Sequence, residues 1–288
     1  MHDSALIWKQ ALNDGLHEDG AAFDWTAFGA ERKITGTLWA KADGIWAATP
    51  LIQCANQLAR ELGVQLSIEP KISGLKDGIL VKKGQELLVW SGDAKACLTF
   101  ERPFINLASY VSGIATQTNL LVQEISKSDL AKKPRLTATR KTLPGYRDLA
   151  IHGVFAGGGF SHRLGLSSGV LIKENHISAY GGIKAAIENA KQWAPHGLKI
   201  EIEVKDQKEL ELAYACGAEI VLLDNFTPDQ VRKAIEWKSK QAPKLVFEVS
   251  GGINVSNIRS YCIAGVDVIS SGSLTHSVTA LDLSLVFP

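Results

Sequence analysis

Residues 199–224 read KIEIEVKDQKELELAYACGAEIVLLD. Two short aliphatic stretches, KIEIEV (199–204) and EIVLLD (219–224), flank a helical segment from Leu210 to Cys216. Strand, helix and strand in so short a span make one βα unit. The pattern repeats outward in both directions. Toward the C-terminus come a helix from Pro228 to Lys238, then LVFEVS (245–250), a helix through Ile258 to Ala264, and VDVIS (266–270). Thr227 is the expected N-cap of the first of these helices, with Pro228 at its first position. Toward the N-terminus lie RLTAT (135–139) and GVLIK (169–173). Successive right-handed βα units predict a parallel sheet or barrel. The strands are nearly continuously apolar, as strands buried on both faces should be.

Polar residues recur at one relative position in this series. Arg140 and Lys141 follow RLTAT, and Lys173 ends GVLIK. Glu203 lies in EIEV, Asp224 ends EIVLLD, Glu248 and Ser250 fall in LVFEVS, and Ser270 ends VDVIS. In parallel barrels the active site sits at the C-terminal ends of the strands, so these residues should meet at one mouth. Each has a structural alternative: Lys173 could pair with a nearby acid, and Asp224 could cap the following turn. Their recurrence unit after unit favours a shared site. Ser250-Gly251-Gly252, ahead of a helix expected near Asn254, and Ser271-Gly272-Ser273, after the next strand, suggest a phosphate cradle of backbone N–H groups. Tight-turn glycine would explain either alone; the pair in adjacent units points to phosphate.

The stretch from Thr139 to Ile177 supplies the cations. It holds Arg140, Lys141, His162, Arg163, Lys173 and His176, with Asp148 and Glu174 as its acids, and the run Gly157-Gly158-Gly159. Arg and Lys match planar carboxylates and phosphates, and glycine lets backbone approach a ligand closely. The alternative is a solvated basic face, which would need no such clearance. The expected ligand is therefore strongly anionic. It carries a phosphate, together with hydroxyls or a magnesium ion for Glu203 and Asp224 to hold.

The N-terminal half follows another rhythm. Ser4 to Leu16 has apolar residues at helical spacing, with Ser4 as the expected cap. HEDGAAFDWT (17–26) follows and could be a solvated acidic loop. ITGTLWAKADGIWAA (34–48) alternates like paired strands; Leu51 to Leu62 is helical; VQLSIEP, ILVKKG and QELLVWSGD are short strands. Ala94 to Leu121 reads as one or two helices, with a start or kink at Pro103. Arg102 would by itself be a snorkelling arginine or a partner of Glu101. The expected class is α/β plus α+β: an α+β domain over residues 1–112, a complete or incomplete parallel β/α barrel over 113–276, and a tail, 277–288, packing back on the first domain.

Composition narrows the function. The chain has 288 residues, 45% of them hydrophobic, and a net charge of +1. Near neutrality argues against a general nucleic-acid binder. Four scattered cysteines without a CxxC pair argue against a zinc or disulfide framework and for a reducing, cytoplasmic setting. Neither a signal peptide nor a membrane-length apolar run is expected.

TRKTLPG, GGG followed by HRLG, and LIKENH resemble quinolinate phosphoribosyltransferase, the carboxylating nicotinate-nucleotide pyrophosphorylase. So do SGIAT and ERPFIN upstream, and EIEV, LLDNF, EVSGGI and ISSGSLTHS downstream. The match runs in one order over most of the chain. It implies transfer of phosphoribosyl from phosphoribosyl pyrophosphate to quinolinate, with Mg2+, giving nicotinate mononucleotide, pyrophosphate and CO2 for NAD synthesis. It also implies roles. Lys141, Glu203 and Asp224 would be catalytic, the two acids also serving magnesium directly or through ribose hydroxyls. Arg102, Arg140, His162, Arg163 and Lys173 would take quinolinate, and Ser250, Gly251, Gly252, Ser271 and Gly272 the phosphate. A homodimer with Arg102 donated across the interface is implied as well. Glu18, Asp19, Asp24 and Thr26 fall on a family motif in which Phe23 replaces the usual glycine, and Pro103 replaces a small or polar residue. Two alternatives are a relative from molybdate transport, which LIKENH with its Lys173, Asn175 and His176 argues against, and a non-catalytic anion-binding barrel.

Overall fold

The structure is a computed structural model and describes residues 4–288. The chain folds as two compact units. Among the described residues the first comprises 4–119, 144–158 and 278–288; the second comprises 120–143 and 159–277.

In the first unit, α1 (Ser4–Glu18) and α2 (Thr49–Glu61) accompany a four-stranded antiparallel sheet. The sheet runs β12 (Leu283–Val286), β1 (Lys33–Ala40), β5 (Glu86–Asp93), β3 (Leu66–Pro70). A two-stranded ribbon, β2 (Gly44–Ile45) with β4 (Leu80–Val81), completes it. The C-terminal residues thus return to a sheet edge, with Leu285 opposite Leu38. Trp8, Leu12, Leu38, Trp46, Leu51, Leu88, Trp90 and Phe104 share one buried core. Trp90 meets Phe104 edge to face at 5.0 Å, a favoured aromatic geometry. The expected cap of α1 by the Ser4 side chain lies outside the described residues.

Helix α3 (Ala94–Ser126) is a single 33-residue helix. The expected start or kink at Pro103 does not divide it, nor does a boundary fall at residue 112. Proline forfeits one backbone hydrogen bond, and buried residues along the helix, including Phe100, Phe104, Ala108, Val111 and Ile114, hold it through that loss.

Helix α4 (Arg147–Ala156) belongs to the first unit rather than to the barrel. The cause is close helix packing. A Cβ on Gly153 would meet the Val111 carbonyl oxygen at 2.7 Å, and one on Gly157 would meet that of Ala115 at 2.4 Å. The glycine run therefore serves packing and a turn, with Gly158 at φ 89°. It gives no ligand clearance.

The second unit is a six-stranded parallel sheet. Its order is β6 (Arg135–Thr137), β11 (Val268–Ser270), β10 (Val246–Ser250), β9 (Ile220–Asp224), β8 (Ile200–Val204), β7 (Val170–Ile172). Helices α5 (Glu174–Ala179), α6 (Ile183–Trp193), α7 (Gln207–Ala215), α8 (Pro228–Gln241) and α9 (Ser273–His276) intervene along the chain. Thr227 caps α8 with its side-chain oxygen, and Asp206 caps α7 in the same way. The expected helix through Ile258 to Ala264 is only a 3-10 turn, Ile258–Tyr261, and none begins at Asn254. Edge strands β6 and β7 do not pair with each other; Phe160 bridges to Thr137 instead. The parallel barrel is thus open between them.

Candidate active site

Strand register decides which side chains share the barrel interior. Glu203 pairs with Leu222, and Leu222 with Glu248; Asp224 pairs with Ser250. Because side chains alternate along a strand, Glu201 and Glu203 face the same way, and Glu248 shares a face with Ser250. Residues on edge strand β7, on the central strands and just beyond the end of edge strand β6 line a single cavity of about 410 Å³, so the sheet curls around it. Thr139, Arg140 and Lys141 enter from the end of β6, and His162 and Arg163 from the segment before β7. Lys173 comes from the end of β7 and Glu203 from β8. Asp224 and Asn225 come from β9, Glu248, Ser250, Gly251 and Gly252 from β10, and Ser270 from β11.

Lys173 Nζ donates to Glu203 Oε2 at 2.6 Å. Asp224 lies beside this pair. Burial raises its pKa, Glu203 raises it further by like charge, and a hydrogen bond from Asn225 works the other way. Two acids on neighbouring strands therefore repel one another where a cation or hydroxyl groups would relieve them. Arg163 donates to the Gly169 carbonyl oxygen at 3.3 Å. Its guanidinium is pushed below its ordinary value by burial and then by Arg140, so the two cations crowd each other. Such a concentration of positive charge favours an anionic ligand.

The two glycine turns differ in kind. Gly251 and Gly252 have φ of 102° and 59°, and Asn225, at φ 56°, is the one non-glycine residue with positive φ among the described residues. Asn225 N–H donates to the Ser250 carbonyl at 2.9 Å, tying the β9 and β10 loops together. The turn expected to cradle an anion is thus left-handed backbone, and no α-helix begins at it. Gly272 lies against Lys141: a Cβ there would stand 3.1 Å from Lys141 Cδ and 2.9 Å from the His276 ring. The Lys141 carbonyl also accepts from Thr275 Oγ1 at 2.7 Å, which fixes this lysine's backbone.

Ser271, expected on the phosphate, does not line the cavity. It is buried, and its Oγ bonds the Ile253 carbonyl at 2.6 Å and Ser273 Oγ at 2.7 Å. A hydroxyl satisfied inside the protein has little to gain from a ligand; Ser271 braces the two turns. Arg102 is also not among the lining residues. It sits on α3, in the first unit, with an exposed guanidinium 3.9 Å from Glu101.

His162 is held from both ends. Its Nε2 lies 3.1 Å from Glu201 Oε2 and 3.2 Å from Glu248 Oε2, and its Nδ1 accepts the Arg163 backbone N–H at 2.7 Å. Burial opposes charge on the ring, but the hydrogen bonds and charges of Glu201 and Glu248 raise it to about 10. Glu201 is itself raised, first by burial. The Arg163 backbone N–H at Nδ1 needs that nitrogen's lone pair, so in this geometry the ring proton sits on Nε2, between the two acids. Among the described residues these three could also hold a metal, but their separations are hydrogen-bond lengths that the Nε2 proton satisfies.

Glu201 and Asn225 are the members that sequence reasoning missed. Glu201 was legible from its two-residue offset from Glu203. Asn225 was legible only weakly, as a residue type that tolerates left-handed backbone.

Comparison with known proteins agrees with this geometry. Residues 114–286 match the family model for the quinolinate phosphoribosyl transferase C-terminal domain. A probable carboxylating nicotinate-nucleotide pyrophosphorylase of Bacillus subtilis is 38% identical over 283 residues, covering 97% of this chain and 93% of that protein. The human carboxylating nicotinate-nucleotide pyrophosphorylase is 35% identical over 276 residues, covering 95% and 89%. The solved structure of the Francisella tularensis nicotinate-nucleotide pyrophosphorylase superposes with a TM-score of 0.87 at 34% identity, covering 99% of this chain and 97% of that one. With a parallel barrel whose strand ends gather these cations and acids, and with relatives alike over nearly its whole length, the chain belongs to the quinolinate phosphoribosyltransferase family.

Proposed function

We propose that this cavity joins quinolinate to phosphoribosyl pyrophosphate, releasing pyrophosphate and CO2 and leaving nicotinate mononucleotide for NAD synthesis. One observation carries the residue assignment. A single cavity gathers Arg140, Lys141, Arg163 and Lys173 with the acids Glu203 and Asp224 and the left-handed glycine turn. Arg140, Arg163 and Lys173 orient the dicarboxylate, so that the ring nitrogen faces the ribosyl carbon. Lys173 is held by Glu203 in the free protein, so a substrate carboxylate competes for it. Lys141 stands where the leaving pyrophosphate needs neutralisation. Gly251 and Gly252, with Ser250, cradle a phosphate, and Gly272 gives Lys141 room.

The ring nitrogen bonds to the ribosyl carbon as the bond to pyrophosphate breaks. Positive charge develops on that carbon, and Glu203 and Asp224 compensate it directly and through the ribose hydroxyls. The carboxylate beside the new pyridinium nitrogen then leaves as CO2, and the ring stabilises the electron pair until a proton replaces it. Mg2+ suits the same two acids. They are oxygen donors on adjacent strands whose mutual repulsion a cation relieves, and such sites bind it through one or two carboxylates plus substrate phosphate. When bound it neutralises pyrophosphate charge.

Arg102, exposed on α3, is read as the contribution of a second copy of the chain to this site, in a homodimer. Arg102→Ala and Lys173→Ala subunits, each inactive, should regain part of their activity when mixed; no recovery would mean that one chain builds the whole site. A non-catalytic barrel is disfavoured because Lys173, Glu203 and Asp224 all line the cavity. Among the described residues no helix is long and apolar enough to cross a membrane, and the four cysteines are free; a cytoplasmic setting belongs to the proposed reading. The decisive experiment is turnover. Quinolinate, phosphoribosyl pyrophosphate and Mg2+ should give equal amounts of nicotinate mononucleotide, pyrophosphate and CO2. Absence of all three products would sink the reading.

A further inference from the structure

His162 lines the cavity with no ring nitrogen to spare. Nε2 points between Glu201 and Glu248, and Nδ1 takes the Arg163 backbone N–H. Turning the ring over would put carbon at both places and lose every one of these bonds, so the network itself fixes the ring's orientation. The two acids are buried, at 5% and 3% exposure, on strands separated by β9. Their neighbours in register are apolar: Leu171 and Ile220 flank Glu201, and Leu222 and Val268 flank Glu248. An apolar residue at either position would pack there without the desolvation cost of a buried carboxylate. Acids kept in such rows point to a task. Arg163 is the group that task reaches. Its N–H is tied to His162, its Nη1 donates to the Gly169 carbonyl, and a Cβ on Gly169 would come within 3.0 Å of Arg163 Cβ.

We propose that His162 is a positioning residue and makes no charged contact to the dicarboxylate. Glu201 and Glu248 hold its Nε2–H, which keeps Nδ1 free to receive the Arg163 N–H and so aims the Arg163 guanidinium into the cavity. The proposal rests on the phosphoribosyl-transfer reading only for which ligand Arg163 meets. Glu201 and Glu248, to which the family resemblance gave no role, become determinants of dicarboxylate affinity acting through two intermediate residues.

The test reads the tautomer directly. In 15N-histidine NMR of the full chain near neutral pH, His162 should show a protonated Nε2 and an unprotonated Nδ1, with and without quinolinate. His162→Gln identifies its signals by their loss. Protonation of both nitrogens in the presence of quinolinate would overturn the proposal. The kinetic arm uses Glu248→Leu, which removes an acceptor. The KM for quinolinate should rise about tenfold or more, while that for phosphoribosyl pyrophosphate stays within about twofold. Glu248→Gln keeps an oxygen for Nε2–H and should recover most of the loss. An unchanged quinolinate KM in Glu248→Leu refutes the positioning role, and if that variant does not fold, the tautomer in the unmodified protein decides. Failure of the unmodified protein to consume quinolinate would sink the reaction and leave the tautomer result standing.

Discussion

Gly251 and Gly252 adjoin in sequence, yet alanine should act very differently at each. At Gly252, φ is 59° and nothing lies within 4 Å of an added Cβ. The cost is then conformational, about 1 kcal/mol for a left-handed alanine. Part of it is offset by the lower entropy of the unfolded chain, at about 0.4–1 kcal/mol. At Gly251, φ is 102°, and an added Cβ would stand 2.2 Å from Asn225 Oδ1 and 2.8 Å from Asn225 N. Asn225 has little room to yield. It already holds a positive φ of 56°, its N–H is bonded to Ser250, and its side chain donates to Asp224 at 2.7 Å. Strain of this kind costs roughly 1–3 kcal/mol for the backbone and about as much again for overpacking. Gly251→Ala should therefore lose about 3 kcal/mol or more, a fall in melting temperature of several degrees. Because the collision falls on the turn that carries Asp224, the KM for phosphoribosyl pyrophosphate should rise as well. Thermal melts and initial rates on both variants provide the comparison. Equal melting temperatures and equal KM values would refute the close packing of the β9 and β10 loops on which this reasoning depends.

Asp224→Asn should cut turnover sharply while leaving quinolinate binding near normal. It should hold or raise the melting temperature, because burial and Glu203 raise the Asp224 pKa and so make its charged form a cost to folding as pH rises. A melting temperature that falls with turnover preserved would mean that Asp224 only braces its loop. Arg163→Ala should weaken quinolinate binding by roughly 10- to 150-fold, the worth of a charged hydrogen bond, and an unchanged affinity by titration removes it from the site. Asp267 is the acid-sensitive anchor of the barrel. Burial pulls its pKa up, but Lys132, Lys238 and the Phe247 N–H outweigh this and hold it below the ordinary value. Its stabilisation is present above the unfolded carboxyl pKa and is lost as pH falls through the folded one. Asp267→Asn should lower stability by about 3 kcal/mol near neutrality and flatten the acid limb of the stability curve; an unaltered acid limb in urea titrations would contradict this.

The alternation from Arg135 to Ser270 was legible because strand and helix periods are local. They mark buried parallel strands, and the polar residues at strand ends mark the mouth. Arg140, Lys141, Lys173, Glu203 and Asp224 could be chosen on that basis, Arg163 from its cationic stretch and Gly251 from its glycine-rich turn, and the cavity brings them together. Other decisions needed three dimensions, because they depend on what lies across from a residue in space. Gly157 looks like a ligand glycine in the chain, and only the Ala115 carbonyl 2.4 Å from its missing Cβ shows it to be a packing glycine. Pro103 reads as a break, but burial along α3 overrides the loss of one hydrogen bond. Ser271 reads as a phosphate ligand until the Ile253 carbonyl is seen to take its hydroxyl. His162 reads as a ligand contact because sequence shows neither Glu201 nor Glu248 beside it. Charge and periodicity are carried by residue type, whereas the direction of a hydrogen bond is set by partners 39 residues away, as Glu201 is from His162, and only the fold supplies those.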